Sequence, residues 1–237
     1  QRGVATLTLN RPDVRNAFDN DLIAKITGLL VELQARTDVR VVILTGAGTS
    51  FSSGADINWM RAMADFSEEQ NYEDALQLAE LMATLNHLTK PTIGRINGHV
   101  FGGGVGLVCC CDIAIAASEA LFCLSEVRLG LVPAVISPYV IDAVGPRNAR
   151  RFFLSAEPMS ARKARRVGLV HEVAKTGKLD VAVEDQVTML LKGGPSALRE
   201  SKELVHTVSG HSFTADLALK KRTAEIIAQM RVSDEGQ

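Results

Sequence analysis

Residues 51–57 read Phe-Ser-Ser-Gly-Ala-Asp-Ile, and residues 101–104 read Phe-Gly-Gly-Gly. Each of these glycine-bearing segments lies between apolar strand and helix patterns, where a loop can turn backbone N–H groups toward a common point. Two such N–H groups that reach one carbonyl oxygen from separate loops form an oxyanion hole. A carboxylate, Glu126, follows within residues 124–130, and a positioned carboxylate can act as an acid or base beside such a hole.

Alternating strand and helix patterns predict an α/β core. The patterns predict strands over residues 4–10, 41–44, 91–97, 112–117 and 121–124, and helices over residues 22–33, 75–88, 103–110 and 161–167. Beyond Glu126 the patterns are mainly helical, with a helix from Pro195 to Gly210 and a last one through Leu217 and Ile227. We therefore expect a core over residues 1–158 and a C-terminal helical region over residues 159–237.

Composition and charge exclude several classes of protein. The chain has 237 residues, 46% of them hydrophobic, and its formal net charge is −1, so no global field attracts nucleic acid or an anionic membrane. No uninterrupted apolar run reaches the length of a membrane span. Cys109, Cys110 and Cys111 are consecutive, which suits neither a tetrahedral metal site nor an ordinary disulfide framework. With Cys123, they are predicted to be small buried side chains in a reducing compartment.

Common catalytic and nucleotide-binding motifs do not occur in the chain. The glycines at 102, 103, 104 and 106 do not fit G-x-G-x-x-G, and neither G-K-[ST] after a glycine loop nor G-x-S-x-G is present. His171-Glu172 does not extend into H-E-x-x-H, so no metal site is predicted. Taken alone, the glycine run at 102–104 indicates close packing of a helix on a strand rather than a catalytic loop.

The order of the motifs along the chain supports a catalytic interpretation of the glycine run. The chain resembles the crotonase superfamily, the group of enoyl-CoA hydratases and isomerases that act on acyl-coenzyme A thioesters. The resemblance covers nearly the whole chain, and within the family residues 123–138 look most like those of bacterial methylglutaconyl-CoA and γ-carboxygeranoyl-CoA hydratases. The motifs that carry it are Leu9-Asn10-Arg11-Pro12, Asn16-Ala17-Phe18, Val41-Val42-Ile43-Leu44-Thr45-Gly46, Ser53-Gly54-Ala55-Asp56, Gly98, Phe101-Gly102-Gly103-Gly104, Cys111-Asp112-Ile113-Ala114 and residues 164–170.

The resemblance implies a fold and a set of site residues. The fold is a crotonase-like ββα spiral core whose C-terminal helical region forms a trimer or a dimer of trimers. The N–H groups of Ala55 and Gly103 match the two donors of the family's oxyanion hole, with Gly103 at the start of a buried helix. Ala55, Asp56, Ile57, Asn58 and Gly103 are the residues expected to bind the acyl-coenzyme A.

Glu126 matches the glutamate that hydratases and many isomerases of this family share, so it is the predicted catalytic acid and base. The alternative is a surface carboxylate that pairs with Arg128. Residues 64–74, which are polar and acidic, also have two interpretations. They form either a solvated surface excursion or a helical lid over the acyl chain, and we favour the lid.

One position departs from the family pattern. Hydratases with two glutamates carry the first of them two residues beyond the Gly-Gly-Gly run, where this chain has Gly106. Our first hypothesis is a single-glutamate hydratase for a branched or carboxylated enoyl-CoA, in fatty-acid, leucine or acyclic terpenoid catabolism. The second is a Δ3,Δ2-enoyl-CoA isomerase, for which one base suffices. The third is a non-catalytic or RNA-associated member, which the near-neutral charge and the lack of a basic, aromatic-interleaved patch oppose.

The same resemblance sets the expected partners. No separate cofactor is expected, because coenzyme A enters as part of the thioester substrate, and no metal, nucleic acid or membrane partner is predicted. The expected location is the cytoplasm. The mitochondrial matrix is the alternative, because the chain begins at Gln1 rather than Met and a targeting segment could precede it.

Overall fold

The computed structural model describes residues 3–63, 65–209 and 213–233, which form strands and helices in close alternation. The strands are β1 (Val4–Leu9), β2 (Val41–Gly46), β3 (Ser50–Ser52), β4 (Thr92–Ile96), β5 (His99–Phe101), β6 (Ile113–Ala117), β7 (Leu121–Cys123), β8 (Met159–Ser160) and β9 (Glu172–Ala174). The helices are α1 (Asn20–Ala35), α2 (Ile57–Met63), α3 (Glu68–Asn86), α4 (Gly103–Cys109), α5 (Ser137–Ser155), α6 (Ala161–Arg166), α7 (Leu179–Lys192), α8 (Pro195–Val208) and α9 (Phe213–Arg231).

The strands form two sheets that the chain visits in turn. The larger sheet has the order β1-β2-β4-β6-β9 and is parallel throughout. The smaller sheet has the order β3-β5-β7-β8, in which only β8 is antiparallel to its neighbour. Three times, a strand of the larger sheet is followed by a strand of the smaller one and then by a helical segment: α2, α4, and a one-turn 3₁₀ helix over Glu126–Leu129. This repetition is the predicted ββα spiral.

The larger sheet is covered on both faces at its second strand, β2, which is why residues 41–44 are continuously apolar. Val42 and Leu44 of β2 belong to the main core, which also includes buried side chains of α1 and α3. Val41 and Ile93 face the other way, into a smaller cluster that α7 closes with Val183. Parallel sheets are usually buried on both faces by their crossover helices, and this sheet follows that rule.

The C-terminal helices differ in how deeply they are buried. Helix α9 packs against α3, whereas α8 has no buried side chain and exposes Leu204, Val205 and Val208. Strands β8 and β9 pair with β7 and β6, so the chain beyond residue 158 contributes to both sheets. The division at residue 158 stays a prediction, and the predicted helix end at Gly210 lies outside the described residues. Across the described ranges, no helix has the length and apolarity that crossing a bilayer requires.

The sequence patterns missed most of the short strands. No strand was predicted at β3, β5, β8 or β9, whereas β7 was predicted. Helix α3 begins at Glu68, where Ser67 caps it, and its Asn71 and Asp74 are buried. Residues 65–70 are mostly exposed, so the described part of segment 64–74 is a solvated stretch that leads into the packed first turns of a long helix. A role as a lid stays a prediction, and residue 64 lies outside the description.

Candidate active site

The first glycine-bearing loop is fixed by hydrogen bonds to the backbone of Phe18. The Phe18 N–H donates to the Gly54 carbonyl at 2.7 Å, and the Asp56 N–H donates to the Phe18 carbonyl at 2.8 Å. Gly54 has a φ of 83°, a left-handed conformation that glycine adopts without strain. Ala55, which lies between the two bonded residues, is therefore held in one orientation.

The second loop lies directly against the first. Gly102, with a φ of 51°, precedes α4, and its N–H donates to the Cys123 carbonyl at 2.9 Å. A Cβ placed at Gly102 would lie 3.7 Å from the Gly54 Cα, and one at Gly103 would lie 2.8 Å from the Phe18 ring. Phe18 thus supports both loops, with its backbone beside Ala55 and its ring beneath Gly103.

The two backbone N–H groups predicted to form the oxyanion hole are available for a ligand. Gly103 is the first residue of α4, and the first N–H groups of a helix have no partner within it. Neither the Ala55 N–H nor the Gly103 N–H donates a hydrogen bond to any residue in the described ranges. Both residues line one cavity of about 90 Å³, which we call the inner cavity; Glu126 also lines it.

Glu126 opens the 3₁₀ helix that follows β7, which brings its carboxylate to the second loop. A Cβ at Gly102 would lie 3.5 Å from the Glu126 Oε1. The residue is half-buried, but its Oε2 is enclosed and has no hydrogen-bond partner within the described part of the chain. Burial raises the pKa of Glu126 from 4.5 to about 7, and a hydrogen bond from its own backbone opposes this rise.

Arg128 does not neutralise this carboxylate. Its Nη2 donates to the Ala156 carbonyl at 2.8 Å, where Ala156 ends α5 in a left-handed conformation. The alternative interpretation of Glu126, a surface carboxylate paired with Arg128, is therefore wrong. Glu126 is instead an enclosed carboxyl group that exchanges its proton near neutral pH, which suits an acid and base.

The inner cavity meets an outer cleft at Ala55, which lines both. The other three residues predicted to bind coenzyme A, Asp56, Ile57 and Asn58, line the outer cleft together with Arg15 and Arg61. The inner cavity is mainly apolar, with Met60 and Met63 of α2 and Leu131 among its lining side chains. A thioester at Ala55 could place its acyl part inward and its polar part outward.

Asp56 also has a structural task. Its Oδ1 accepts the Asn58 N–H at 2.9 Å, as expected of a residue that caps α2, and its Oδ2 pairs with Arg11 at 3.1 Å. Arg11 further donates to the Ala17 carbonyl and pairs with Asp19. The Leu9–Pro12 motif therefore tightens the first loop, a role that the sequence alone did not reveal.

Gly106 leaves no room for the second carboxylate found in two-glutamate hydratases. A Cβ at this position would lie 2.4 Å from the Ile136 Cγ2 and 3.2 Å from the Met82 Cε, so these side chains fill the space. Among the described residues that line the inner cavity, Glu126 is the single carboxylate. The described ranges also contain no group of three or more histidine, cysteine or acidic residues that could hold a metal ion.

Sequence reasoning did not name several of the side chains that line the inner cavity. Trp59, Ile136 and Arg231 are among them. Ile136 lies in the 123–138 stretch that carried part of the resemblance, whereas Trp59 and Arg231 belong to no motif that the sequence analysis used. Trp59 lies on α2, directly after the predicted coenzyme A segment, and could have been found by extending that segment. No local pattern connects Arg231, on α9, with Glu126, since only the packing of α9 on α3 brings it to the cavity.

Comparisons with known proteins agree with this architecture. The sequence profile of the enoyl-CoA hydratase/isomerase family matches residues 1–236. An enoyl-CoA hydratase from Shewanella pealeana, known from a crystal structure, is 43% identical in sequence to this chain and superposes on it with a TM-score of 0.85. The match covers 99% of this chain and 87% of the Shewanella pealeana chain. The 2,3-dehydroadipyl-CoA hydratase of Escherichia coli is 31% identical over 238 residues, covering 100% of this chain and 91% of the relative. An enoyl-CoA hydratase of Alternaria alternata is 34% identical over 96% of this chain and 75% of its own length.

Proposed function

Since this chain belongs to the enoyl-CoA hydratase/isomerase family, we propose that it adds water across the α,β double bond of an enoyl-CoA thioester. The observation that carries this proposal is the enclosed carboxylate of Glu126 in one cavity with the free N–H groups of Ala55 and Gly103. An acid/base and an oxyanion hole are the two components that hydration of a conjugated thioester requires.

The reaction follows from this arrangement. The thioester oxygen accepts hydrogen bonds from the N–H groups of Ala55 and Gly103, which draws electron density from the double bond. The Glu126 carboxylate removes a proton from water as the water oxygen bonds to Cβ, and negative charge develops on the thioester oxygen. The protonated Glu126 then donates that proton to Cα, which regenerates the carboxylate and completes the addition of H and OH.

The pKa of Glu126 suits both halves of this cycle. With a pKa of about 7, the carboxyl group takes and returns a proton near neutral pH with little free-energy cost in either direction. A fully solvated glutamate would be a weaker base, because its pKa is near 4.5. The enclosure of Oε2 is therefore a functional property of the site.

The proposed substrate is a branched or carboxylated enoyl-CoA. Asp56, Ile57 and Asn58, at the outer cleft, bind its coenzyme A part, and the inner cavity holds its acyl part. Support for a carboxylated acyl group comes from the E. coli relative, whose name specifies a dehydroadipyl thioester. We place the activity in fatty-acid, leucine or acyclic terpenoid catabolism, and in the cytoplasm, which the four free cysteines favour.

The second candidate is a Δ3,Δ2-enoyl-CoA isomerase. The observation that favours it is Gly106, because hydratases with two glutamates hold the attacking water between two carboxylates and this cavity offers one among its described residues. One base suffices to move a proton between Cα and Cγ. The single-carboxylate site thus admits either reaction, and the fate of water separates them.

Reactions in oxygen-18 water distinguish the two activities. We expect the enzyme to convert a 2-enoyl-CoA to a 3-hydroxyacyl-CoA that carries the label, detected by mass spectrometry. Conversion of a 3-enoyl-CoA to the 2-enoyl-CoA without label, together with no hydration of the 2-enoyl-CoA, would overturn the hydratase proposal. Glu126→Gln serves as the control, since it should suppress whichever reaction is enzymatic.

The proposed assembly is a homotrimer or a dimer of trimers. The exposed apolar residues of α8 support it, because a helix without buried residues gains little from packing within its own chain.

A further inference from the structure

The inner cavity has one strongly polar wall besides Glu126. Apart from Glu126 and Arg231, its described lining side chains are apolar or aromatic. Arg231 is 9% exposed, and its guanidinium carbon lies 5.9 Å from the centre of the Trp59 ring, within the range of a cation–π contact. An apolar acyl chain would gain no favourable polar interaction from a buried cation at this wall of the cavity.

The ion pair between α9 and α3 explains Arg231 only in part. Its Nη1 donates to the Asp74 Oδ2 at 2.7 Å, and Asp74 is 4% exposed and does not line the cavity. A buried ion pair of this kind is weak support for stability, since apolar residues of similar volume often serve as well. A tie between two helices does not require that the cation face the acyl cavity.

Two buried donors at this wall have no acceptor. The Arg231 Nε and the Trp59 Nε1 are both enclosed, and neither has a hydrogen-bond partner in residues 3–63, 65–209 or 213–233. A buried donor without a partner costs roughly 1–3 kcal/mol. The Asp74 Oδ1 is also enclosed without a partner and can accept a further N–H of Arg231 from the α3 side. Asp74 does not line the cavity, however, so the Trp59 Nε1 and the cavity side of Arg231 are matched by a ligand that brings an acceptor.

We propose that Arg231 and Trp59 bind a carboxylate on the acyl group of the substrate and so determine the specificity of the enzyme. The proposal rests on the proposed function, because it concerns the acyl end of the same enoyl-CoA. Guanidinium groups match carboxylates in shape and charge, and their five N–H donors can serve two carboxylates at once. Asp74 takes one side of Arg231, and the substrate carboxylate takes the side that faces the cavity.

The selectivity arises from the cost of leaving these donors unmet. A hydrocarbon acyl group would seal the cavity while the Arg231 Nε and the Trp59 Nε1 stay without an acceptor. A site built to hydrogen-bond a polar group rejects analogues that lack it, for this reason. The enzyme should therefore prefer carboxylated acyl groups by at least about tenfold in kcat/KM.

Matched substrates test this preference. Glutaconyl-CoA and 2,3-dehydroadipyl-CoA vary the position of the carboxylate, and each is compared with an analogue in which an isopropyl group replaces it. We expect the wild-type enzyme to prefer one or both carboxylated substrates by at least about tenfold in kcat/KM, mainly through KM. Equal or better hydration of both isopropyl analogues would overturn the proposal.

Variants separate recognition from a purely structural role. Arg231→Met is combined with Asp74→Asn, so that no buried charge is left alone, and the control is Arg231→Lys, which keeps a cation beside Asp74. We expect the double variant to lose about 10- to 100-fold in kcat/KM for the carboxylated substrate, while the isopropyl analogue changes little. Arg231→Lys should keep part of the preference, because it retains the positive charge. Equal losses for both substrates in the double variant would make Arg231 a structural tie only.

Trp59→Phe keeps an aromatic ring and removes the N–H. We expect it to fold normally and to lose about threefold to tenfold for the carboxylated substrate alone. An unchanged preference would remove Trp59 from the recognition site.

Binding without turnover distinguishes this proposal from the proposed function. Adipyl-CoA and its isopropyl counterpart have no double bond, and calorimetry gives their affinities directly. Tighter binding of adipyl-CoA that requires Arg231 supports the carboxylate site even if no hydration occurs. Hydration of plain enoyl-CoA substrates without any preference in binding would refute the carboxylate site and leave the hydratase proposal standing.

Discussion

At the scale of single residues, burial of one carboxylate sets the proton affinity of the candidate site. Glu126 has its Oε2 enclosed beside the Gly102 loop, and its pKa rises to about 7 because the charged form is desolvated. The neighbouring arginine, Arg128, bonds to the Ala156 carbonyl and leaves the carboxylate without a counter-ion from that side. The same enclosure that destabilises the charged form makes it a better base.

Glu126→Gln should abolish turnover and leave binding intact. The amide keeps the shape of the side chain but cannot take and return a proton, so kcat should fall by about 10²–10⁴-fold or more. Affinity for a saturated acyl-CoA, measured by calorimetry, should change less than about threefold, because the N–H groups of Ala55 and Gly103 are untouched. A variant with near-normal kcat would show that Glu126 is not the acid/base.

The pKa of Glu126 also predicts a pH dependence of activity and of stability. As a base in the free enzyme, Glu126 should make kcat/KM fall tenfold per pH unit below about pH 7.

The pKa of Glu126 in the folded chain lies above the reference value of 4.5, so the folded chain holds the proton more tightly and loses stability as pH rises from about 4.5 to about 7. Glu126→Gln should therefore gain stability relative to wild type, by up to about 3 kcal/mol, between pH 5 and pH 8. Urea unfolding of both proteins at pH 5 and at pH 8 measures this gain in stability. A difference between variant and wild type that does not change with pH would contradict the prediction.

Gly106 is predicted to be required by packing. In Gly106→Ala the new methyl group meets the Ile136 Cγ2 at 2.4 Å, so the free energy of unfolding should fall by about 1–3 kcal/mol. The same change at Gly28 of α1, which has nothing within 4 Å, should be neutral or stabilising by up to about 1 kcal/mol. In an Ile136→Ala background the cost of Gly106→Ala should shrink. Equal costs in both backgrounds would exclude the Ile136 contact as the cause.

The sequence pointed to those candidate site residues that lie in short local motifs. Ala55, Gly103 and Glu126 each stand in a recognisable segment, and the structure brings all three to one cavity. Ile136 and Arg231 could not be predicted, because their place depends on how α5 and α9 pack against distant parts of the chain. Glycine 106 signalled a departure from the family pattern, but only the structure shows which side chain fills its space.

At the scale of elements, length decided which strands the sequence revealed. Strands β1, β2, β4 and β6 have five or six residues and show apolar runs or alternation, whereas β3, β5, β7 and β9 have three and β8 has two. Two or three residues give no measurable period, although β7 was found from its apolar residues. Four of the short strands, β3, β5, β7 and β8, nonetheless form the smaller sheet, which delivers the Gly102 loop and Glu126 to the candidate site.

Helix α3 offers a prediction at this scale, since a capping box opens it. The Ser67 Oγ accepts the Gln70 N–H at 3.2 Å, and the Gln70 side chain accepts the Ser67 N–H at 2.9 Å. Ser67→Ala should lower the free energy of unfolding by about 1 kcal/mol, measured by urea denaturation. The control is Ser201→Ala, at an exposed position within α8, which should change stability by less than about 0.5 kcal/mol. Identical effects of both substitutions would mean that the cap does not stabilise α3.

At the scale of the whole molecule, the ββα spiral explains why the site lies where it does. Each passage from the larger to the smaller sheet ends in a loop on the same side, so Ala55, Gly103 and Glu126 follow β3, β5 and β7 in three successive turns of the spiral. Residues far apart in sequence thus become neighbours through repetition of one unit. The alternating patterns predicted the α/β class, but the pairing of strands into two sheets required the structure.

The exposed apolar face of α8 leads to a prediction about assembly. Leu204, Val205 and Val208 are 62%, 66% and 78% exposed, and burying them against neighbouring subunits would offset the lack of contacts within the chain. We expect light scattering to show a trimer or a hexamer for the protein, and Leu204→Glu combined with Val208→Glu to shift it to the monomer. Circular dichroism should show that the variant keeps its helices, since these side chains pack on little within their own chain. Val31→Glu, on the exposed side of α1, adds a charge at another apolar surface residue and should leave the assembly unchanged. A wild-type monomer would refute the assembly, and a double variant that stays trimeric would show that α8 is not part of the interface.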